Sequence, residues 1–245
     1  MITKNEVKYI QSLAHQKSRN ETSCFLAEGI RLVHDLLIQC PGQIEAIYCT
    51  DDYTNRLIGD DRDIPVKIIS GEDLARISQM QTPNQVLAVV RQFDFKLPVK
   101  DTKEWLLALD GVQDPGNMGT IIRLADWFGV KHILCSNDCV DVYNPKVVQA
   151  SMGSIARVAV HYVVLKDVIP NYGLPLVGAI MTGESLQSFQ FPDAGIIIIG
   201  NEGKGIRQEI GALLTNSITI PSFGGAESLN AAMATSIILW ELKRR

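Results

Sequence analysis

Four isoleucines in succession, Ile196–Ile199, run directly into Gly200-Asn201-Glu202-Gly203-Lys204-Gly205, and this pattern restricts the fold more than any other in the chain. A strand without polar alternation has to be covered on both faces, which is the condition of a parallel sheet held between helical layers. Apolar strands are also expected at Trp105–Leu109, Ile133–Cys135, Val158–Val163, Leu176–Ile180 and Ile218–Ile220. Helical stretches at about 118–128, 145–152, 206–214 and 229–243 lie between or after them. The second half of the chain is therefore predicted to be an α/β domain built on a parallel sheet.

The first ninety residues predict a smaller α/β unit. Val7, Ile10, Leu13 and Ala14 recur at helical spacing, and the polar tract Gln16–Ser23 interrupts them. A short strand, Phe25-Leu26-Ala27, leads through Glu28-Gly29 into a helix whose Ile30, Val33, Leu36 and Leu37 form one stripe. Strands follow at Ile44–Cys49, Val66–Ile69 and Val86–Val90, with a helix before the last that Ser70 and Asp73 can open as a capping box. Gln92–Lys103, with Pro98 and no clean period, reads as a linker. The expected organisation is residues 1–92, a linker over 93–103, and a second domain over 104–245. Within that second domain, Asn144-Pro145 is a strong helix start, with Asn as the cap and Pro in the first turn.

Composition narrows the function classes. With 46% hydrophobic and 20% charged residues in 245, the chain has the make-up of a folded globular protein. Its five cysteines are an odd number and the N-terminus lacks an apolar leader, which fits a reducing cytoplasm. No stretch is long and apolar enough to span a bilayer, so no membrane association is expected. Cys135 and Cys139 lie near His132 and Asp138, but the spacing matches no zinc pattern, so no metal is expected. A net charge of −4 argues mildly against a phosphate-rich partner. The local basic clusters, Lys17 with Arg19 and Lys243-Arg244-Arg245, read as solvated helix ends.

Three glycine-bearing loops follow three of the apolar strands, and ligands of open α/β sheets collect at the carboxyl ends of strands. In the first, Asp110–Arg123, the residues Ile121, Leu124, Ala125 and Phe128 share a helix face, which puts Arg123 on another face near Gly119 and Thr120. A planar guanidinium there suits a phosphate, although a helix arginine in this loop standing alone is better explained by solvation. The second loop, Gly200–Gly205, has neither the Gly-Lys-Ser/Thr of a phosphate-binding loop nor the G-x-G-x-x-G order of a dinucleotide site. In the third, Ile220–Asn230, Ser228 can cap the last helix, whereas Asn230 just inside it is a poor structural choice and suggests a ligand role.

Taken in order, the three loops resemble the motifs of the SpoU family of RNA ribose 2′-O-methyltransferases, within the SPOUT superfamily. Asn117, Gly119 and Arg123 match Asn-x-Gly-x-x-x-Arg; Ile196 through Gly205 match an apolar strand followed by Gly-x-Glu-Gly-x-Gly; Ile220-Pro221 and Ser228-Leu229-Asn230 match the third motif. The resemblance covers Lys103–Arg245 strongly. The N-terminal part is similar, more loosely, to the family's substrate-binding domain with its ribosomal-protein-like fold, through Phe25–Gly29 and Gln85–Val90. After Ser-Leu-Asn this chain has Ala231-Ala232-Met233-Ala234 where many relatives have Val-Ser-Val-Ala, a change that keeps a small apolar face.

The resemblance implies a C-terminal trefoil knot, an exception to the usual absence of threaded chains. It further implies S-adenosylmethionine held around Gly200, Ile220 and Leu229, with Thr182 and Gly183 as further contacts, and a homodimer whose sites are completed across the interface. It assigns Arg123 as the catalytic arginine, with Asn117, Glu202, Ser228 and Asn230 orienting the nucleotide. The implied substrate is structured RNA, ribosomal RNA ahead of transfer RNA, with no DNA partner. The alternative from another class is a catalytically idle RNA-binding or ribosome-assembly protein that kept the fold. A dinucleotide-dependent enzyme fails on the glycine order.

Overall fold

In the computed structural model, which describes residues 2–54, 64–100 and 102–244, the chain packs as two compact units. Met1–Asp94 together with Asp141–Ala156 form one unit, and Phe95–Val140 with Arg157–Arg245 form the other. Arg245 of the terminal basic cluster and Asp101 of the linker lie outside the described residues.

The first unit is built on a four-stranded sheet of β1 (Cys24–Glu28), β2 (Ile44–Cys49), β3 (Val66–Ile68) and β4 (Val86–Arg91), in the order β1-β4-β2-β3. β4 runs antiparallel to both β1 and β2, and β3 pairs parallel with β2 at the edge. Alternation along β1 points Cys24 and Leu26 into a core shared with Ile10, Leu13, Leu74 and Ile77 of the Lys4–Ser12 and Gly71–Ile77 helices and the turn after the first of them. Ser70 does cap the second of these helices, its hydroxyl accepting from the Asp73 amide at 3.1 Å.

The polar tract Gln16–Ser23 is itself a helix, Gln16–Thr22, ended by Ser23 in the left-handed region at φ 53°. Its reason is Arg19, which is 2% exposed and not the solvated helix end expected from the sequence. The guanidinium donates to the Leu13 and Ala14 carbonyls at 2.9 and 2.8 Å, which are left without partners by the end of the first helix. It also pairs with Asp141 Oδ2, from Nε at 3.1 Å and from the terminal nitrogen at 2.5 Å. Two residues beyond Asp141, the Tyr143 ring packs on Phe25 with centroids 4.8 Å apart, and its hydroxyl accepts from the Phe93 amide at 2.7 Å. Asn144 then caps the Pro145–Ser151 helix, accepting from the Lys146 amide at 2.9 Å as the Asn-Pro pair predicts, and this helix packs on β1.

The second unit holds six parallel strands: β5 (Trp105–Asp110), β6 (His132–Ser136), β7 (Ala159–Val163), β8 (Leu176–Ser185), β9 (Gly195–Gly200) and β10 (Asn216–Thr219), in the order β10-β8-β9-β5-β6-β7. The two most continuous apolar runs, β5 and β9, are the central pair and are buried along their length, apart from the half-buried Gly200 that ends β9. Leu106, Ala108, Ile196 and Ile198 share one core with Ile169, Tyr172 and Ile210. The Pro115–Trp127 and Ala231–Lys243 helices pack on each other, the first also against β6 and the second against β9. The helix expected at about 206–214 is only Gln208–Gly211.

Removal of the Arg19 guanidinium leaves Asp141 Oδ2 and two carbonyls without its donors in a mostly buried setting, with only Oδ1 of that carboxylate still bonded among the described residues, to the Tyr143 amide. Arg19→Ala will destabilise the first unit by about 3 kcal/mol, read as faster hydrogen exchange in β1 and β4 with protection in β5 and β9 retained. In the second unit, the His132 and His161 rings stack with Nδ1 and Nε2 3.2 Å apart, and burial holds both imidazoles below their ordinary value of 6.5. The unfolded chain therefore takes up protons that the folded imidazoles refuse, and stability present above pH 6.5 is lost as pH falls below it. His161→Phe is expected to flatten that slope in denaturant titrations between pH 7 and pH 5; an unchanged slope would remove this pair as its source.

Candidate active site

The carboxyl ends of β5, β9 and β10 bring the three glycine-bearing loops to one place. β5 ends at Asp110, and Asp114 caps the following helix by accepting from the Asn117 amide at 2.8 Å, with Pro115 in the first turn. The helix thus begins at Pro115, three residues before the expected start, and Asn117 lies buried in its first turn. After β9, the Asn201 and Gly205 backbones pair with each other at 3.0 and 2.8 Å and close a tight turn. A Cβ on Gly200 would run into the Gly205 and Ile206 backbone, so only glycine lets the strand end and the turn approach this closely. Asn201 ties the second loop to the first, donating from Nδ2 to the Gly111 carbonyl at 2.7 Å while its Oδ1 accepts from the Gly203 and Lys204 amides.

The third loop corrects one expectation. Asn230, not Ser228, caps the last helix: its Oδ1 accepts from the Ala232 and Met233 amides at 3.0 and 3.2 Å. Its Nδ2 is then directed away from the helix, donating to Asn117 Oδ1 at 2.7 Å and to Glu202 Oε1 at 3.0 Å. Glu202 Oε1 also accepts from the Ala231 amide at 3.2 Å and from Asn117 Nδ2. One carboxylate oxygen on the second loop therefore gathers donors from the other two.

Beneath this network lies an ion cluster that the sequence reading did not single out. The Asp110 carboxylate, fully buried at the end of β5, accepts from the Arg207 amide at 2.7 Å and from its Nε at 2.6 Å. The same guanidinium reaches Asp138 Oδ1 at 3.2 Å. The bond to Asp110 raises the guanidinium's affinity for its proton, and Asp138 is held below the ordinary carboxylate value by the Ser136 hydroxyl and, less strongly, by Arg207. Both ends of the Gly200–Arg207 loop are thereby fixed to β5 and its following turn. The visible signal was an acidic residue closing an otherwise apolar strand. Nearby, burial pushes the Cys135 thiol far up, while its bond to Cys139 brings Cys139 down to about 7. All five cysteines are free, and among the described residues no group of three His, Cys, Asp or Glu side chains is arranged to hold a metal.

A cavity of about 870 Å³ opens beside the network, with Gly200, Ile220, Ser228 and Leu229 in its lining and Ile199, Ile218 and Ile238 on its apolar wall. Glu202 lines this cavity and also a smaller one of about 250 Å³ that includes Asn117 and Asp114. Thr182 and Gly183 line neither. β8 pairs with β10 through Val177 and Gly178 and again through Glu184 and Ser185, so the stretch between departs from the ladder, and its Ala179, Ile180 and Met181 form a side of the large cavity. A Cβ on Gly183 would lie 2.5 Å from the Ile218 amide nitrogen, so that glycine permits the two chains to run side by side. Arg123 is exposed on the Pro115–Trp127 helix, lines neither cavity, and has no hydrogen-bond or ion-pair partner among the described residues.

Comparison with known proteins agrees with this geometry. The sequence model of the SpoU rRNA Methylase family matches residues 104–240, and that of the MRM3-like substrate binding domain matches residues 4–88. The 23S rRNA (guanosine(2553)-2'-O)-methyltransferase RlmP of Bacillus subtilis is 31% identical over 247 residues, covering 97% of this chain and 96% of that protein. Among solved structures, an RNA methyltransferase of the TrmH family from Porphyromonas gingivalis superposes with a TM-score of 0.89 at 37% identity, covering 100% of this chain and 99% of that one. The AdoMet-bound rRNA methyltransferase from Sinorhizobium meliloti does so with a TM-score of 0.87 at 29% identity, covering 100% and 96%. The match over the three glycine-bearing loops and the strands that carry them means that the chain belongs to the SpoU rRNA methylase family.

Proposed function

We propose that this protein methylates a ribose 2′-hydroxyl of ribosomal RNA with S-adenosylmethionine as donor, acting as a homodimer in the cytoplasm. The observation that carries the reading is the joining of a nucleoside-sized cavity to the Asn117–Glu202–Asn230 network. The cavity volume of about 870 Å³ lies within the ordinary range for small-molecule sites. Its isoleucine walls suit a purine ring, the close turn at Gly200 leaves backbone groups for the purine edge and ribose, and Glu202 and Glu227 complement a cationic donor. Gly200, Ile220 and Leu229 would hold the donor, with Thr182 and Gly183 supporting the neighbouring stretch of β8.

When bound, the donor supplies an electrophilic methyl group on a sulfonium centre. The chain's own contribution is orientation: Asn117, in the lining of the smaller cavity, is held by Asn230 and Glu202 as a fixed polar group for the acceptor ribose, and Ser228 adds a hydroxyl in the lining of the large cavity. Arg123, with its planar fork of donors, is assigned to bind phosphate and to stabilise the acceptor oxygen while the hydroxyl proton passes to solvent water. Because Arg123 lines neither cavity of its own protomer, we assign it to the partner's site. The apolar face of the same two helices supports that dimer: Trp127 is 84% exposed, with Met233 and Trp240 also open to solvent. The chain of the knot is assigned to the β8 and β10 segments that run side by side past Gly183, and residues 1–92 are assigned to RNA binding through the MRM3-like match. The names of the relatives favour ribosomal over transfer RNA.

Arg123→Ala is expected to keep the fold and the donor affinity while transfer to RNA falls by about 100-fold or more; undiminished transfer would refute its role. Gly200→Ala is expected to abolish donor binding in calorimetry. Mixing the two inactive variants should restore part of the activity, since each mixed dimer contains one intact cavity facing one intact arginine. Failure to complement would locate Arg123 in its own protomer's site. Trp240→Glu is expected to shift sedimentation to the monomer and to remove activity with it.

A further inference from the structure

We propose that Phe223 and Lys204 form an acceptor-nucleotide subsite at the mouth of the large cavity, with Phe223 stacking on a nucleobase of the RNA and Lys204 pairing with a backbone phosphate. The inference rests on the reading of this cavity as the methyl-donor site, and it names residues outside the three family motifs' fixed positions.

Phe223 is 91% exposed, and among the described residues no aromatic ring contacts it. It nevertheless lines the cavity, in a segment between β10 and the last helix that has no regular structure. The Ser222 hydroxyl donates to the Gly224 carbonyl at 3.2 Å, a bond that spans Phe223 and holds the local turn. An aromatic side chain held at a cavity mouth without a packing partner keeps both ring faces free, and a ring face is what a nucleobase of any sequence recognises.

Lys204 approaches the same cavity from the other loop, in the turn closed by Asn201 and Gly205. Its amide donates to Asn201 Oδ1, which fixes the backbone, while its ammonium has no partner among the described residues. The other charged side chains of the cavity are the carboxylates Glu202 and Glu227, and the whole chain carries a net charge of −4. A free ammonium in this lining therefore supplies a local positive site that the composition does not, and a cation and a free aromatic face on one cavity fit a nucleotide better than an uncharged metabolite.

The test uses the 245-residue protein in the assembly it forms in solution and an unmodified 23S ribosomal RNA transcript, with RNA affinity measured across a salt series and donor affinity measured separately by calorimetry. Phe223→Ala is expected to weaken RNA binding about ten-fold with no change in salt slope, and Phe223→Trp to retain binding where Phe223→Leu does not. Lys204→Met is expected to reduce the slope of log affinity against log salt by about one phosphate contact. Donor affinity and assembly mass should remain those of the wild type in each variant. A parallel fall in donor affinity would overturn the subsite in favour of a lid over the donor, and a change in assembly mass would overturn it in favour of a subunit contact. Full binding by Phe223→Leu, or an unaltered slope for Lys204→Met, would also overturn it. Wild-type protein that binds the transcript but transfers no methyl group would defeat the proposed activity alone, because the subsite is decided by the binding pattern.

Discussion

A single oxygen, Oε1 of Glu202, organises the second unit's site. It accepts from Asn117, Asn230 and the Ala231 amide, groups supplied by the helix after β5 and by the cap of the last helix. A carboxylate oxygen with several donors is a strong, directional acceptor, and its position is inherited by every group that donates to it. The last helix begins where it does because Asn230 uses its carbonyl oxygen as a cap and its amide as a strut. The same side chain therefore sets a secondary-structure boundary and ties the last helix to the other two loops.

That oxygen is itself held in place from below. Asp110 is a buried charge, and such a charge is tolerated only when paired and fully hydrogen-bonded. Arg207 provides both the counter-charge and, through its own amide, a backbone bond. The turn between Gly200 and Arg207 is short and glycine-rich, and without anchors at both ends it would be free to sample many conformations. Asn201 anchors its start on Gly111 and Arg207 anchors its end on Asp110, so the glycines allow close approach without allowing movement.

Much of this was legible in the sequence. Continuous apolar runs at Ile196–Ile199 and Trp105–Leu109 implied a sheet buried on both faces, and these became its two central strands. The Asn-Pro start at Asn144 and the Ser70 cap were visible because capping chemistry is local. Three kinds of feature were not visible. The Gln16–Thr22 helix has no apolar period, since what it buries is an arginine satisfied by carbonyls and a distant carboxylate. Asn230 read as a residue inside a helix, because the boundary depends on partners in two other loops. The Asp110–Arg207 pair joins positions 97 residues apart, and no local pattern signals such a pairing.

The partner of Arg19 has a consequence for how the chain is made. Asp141 lies 122 residues downstream, beyond β5 and β6 of the other unit. A ribosome delivers residues in order, so Arg19 emerges long before the carboxylate that neutralises it, and the early unit must wait with an unmatched cation until the middle of the polypeptide has been synthesised. Trimming the gene to its opening ninety-odd codons would leave that vacancy permanent. What looks on paper like an autonomous module is, in the order of synthesis, finished only by a strip of chain borrowed from within the span of its neighbour.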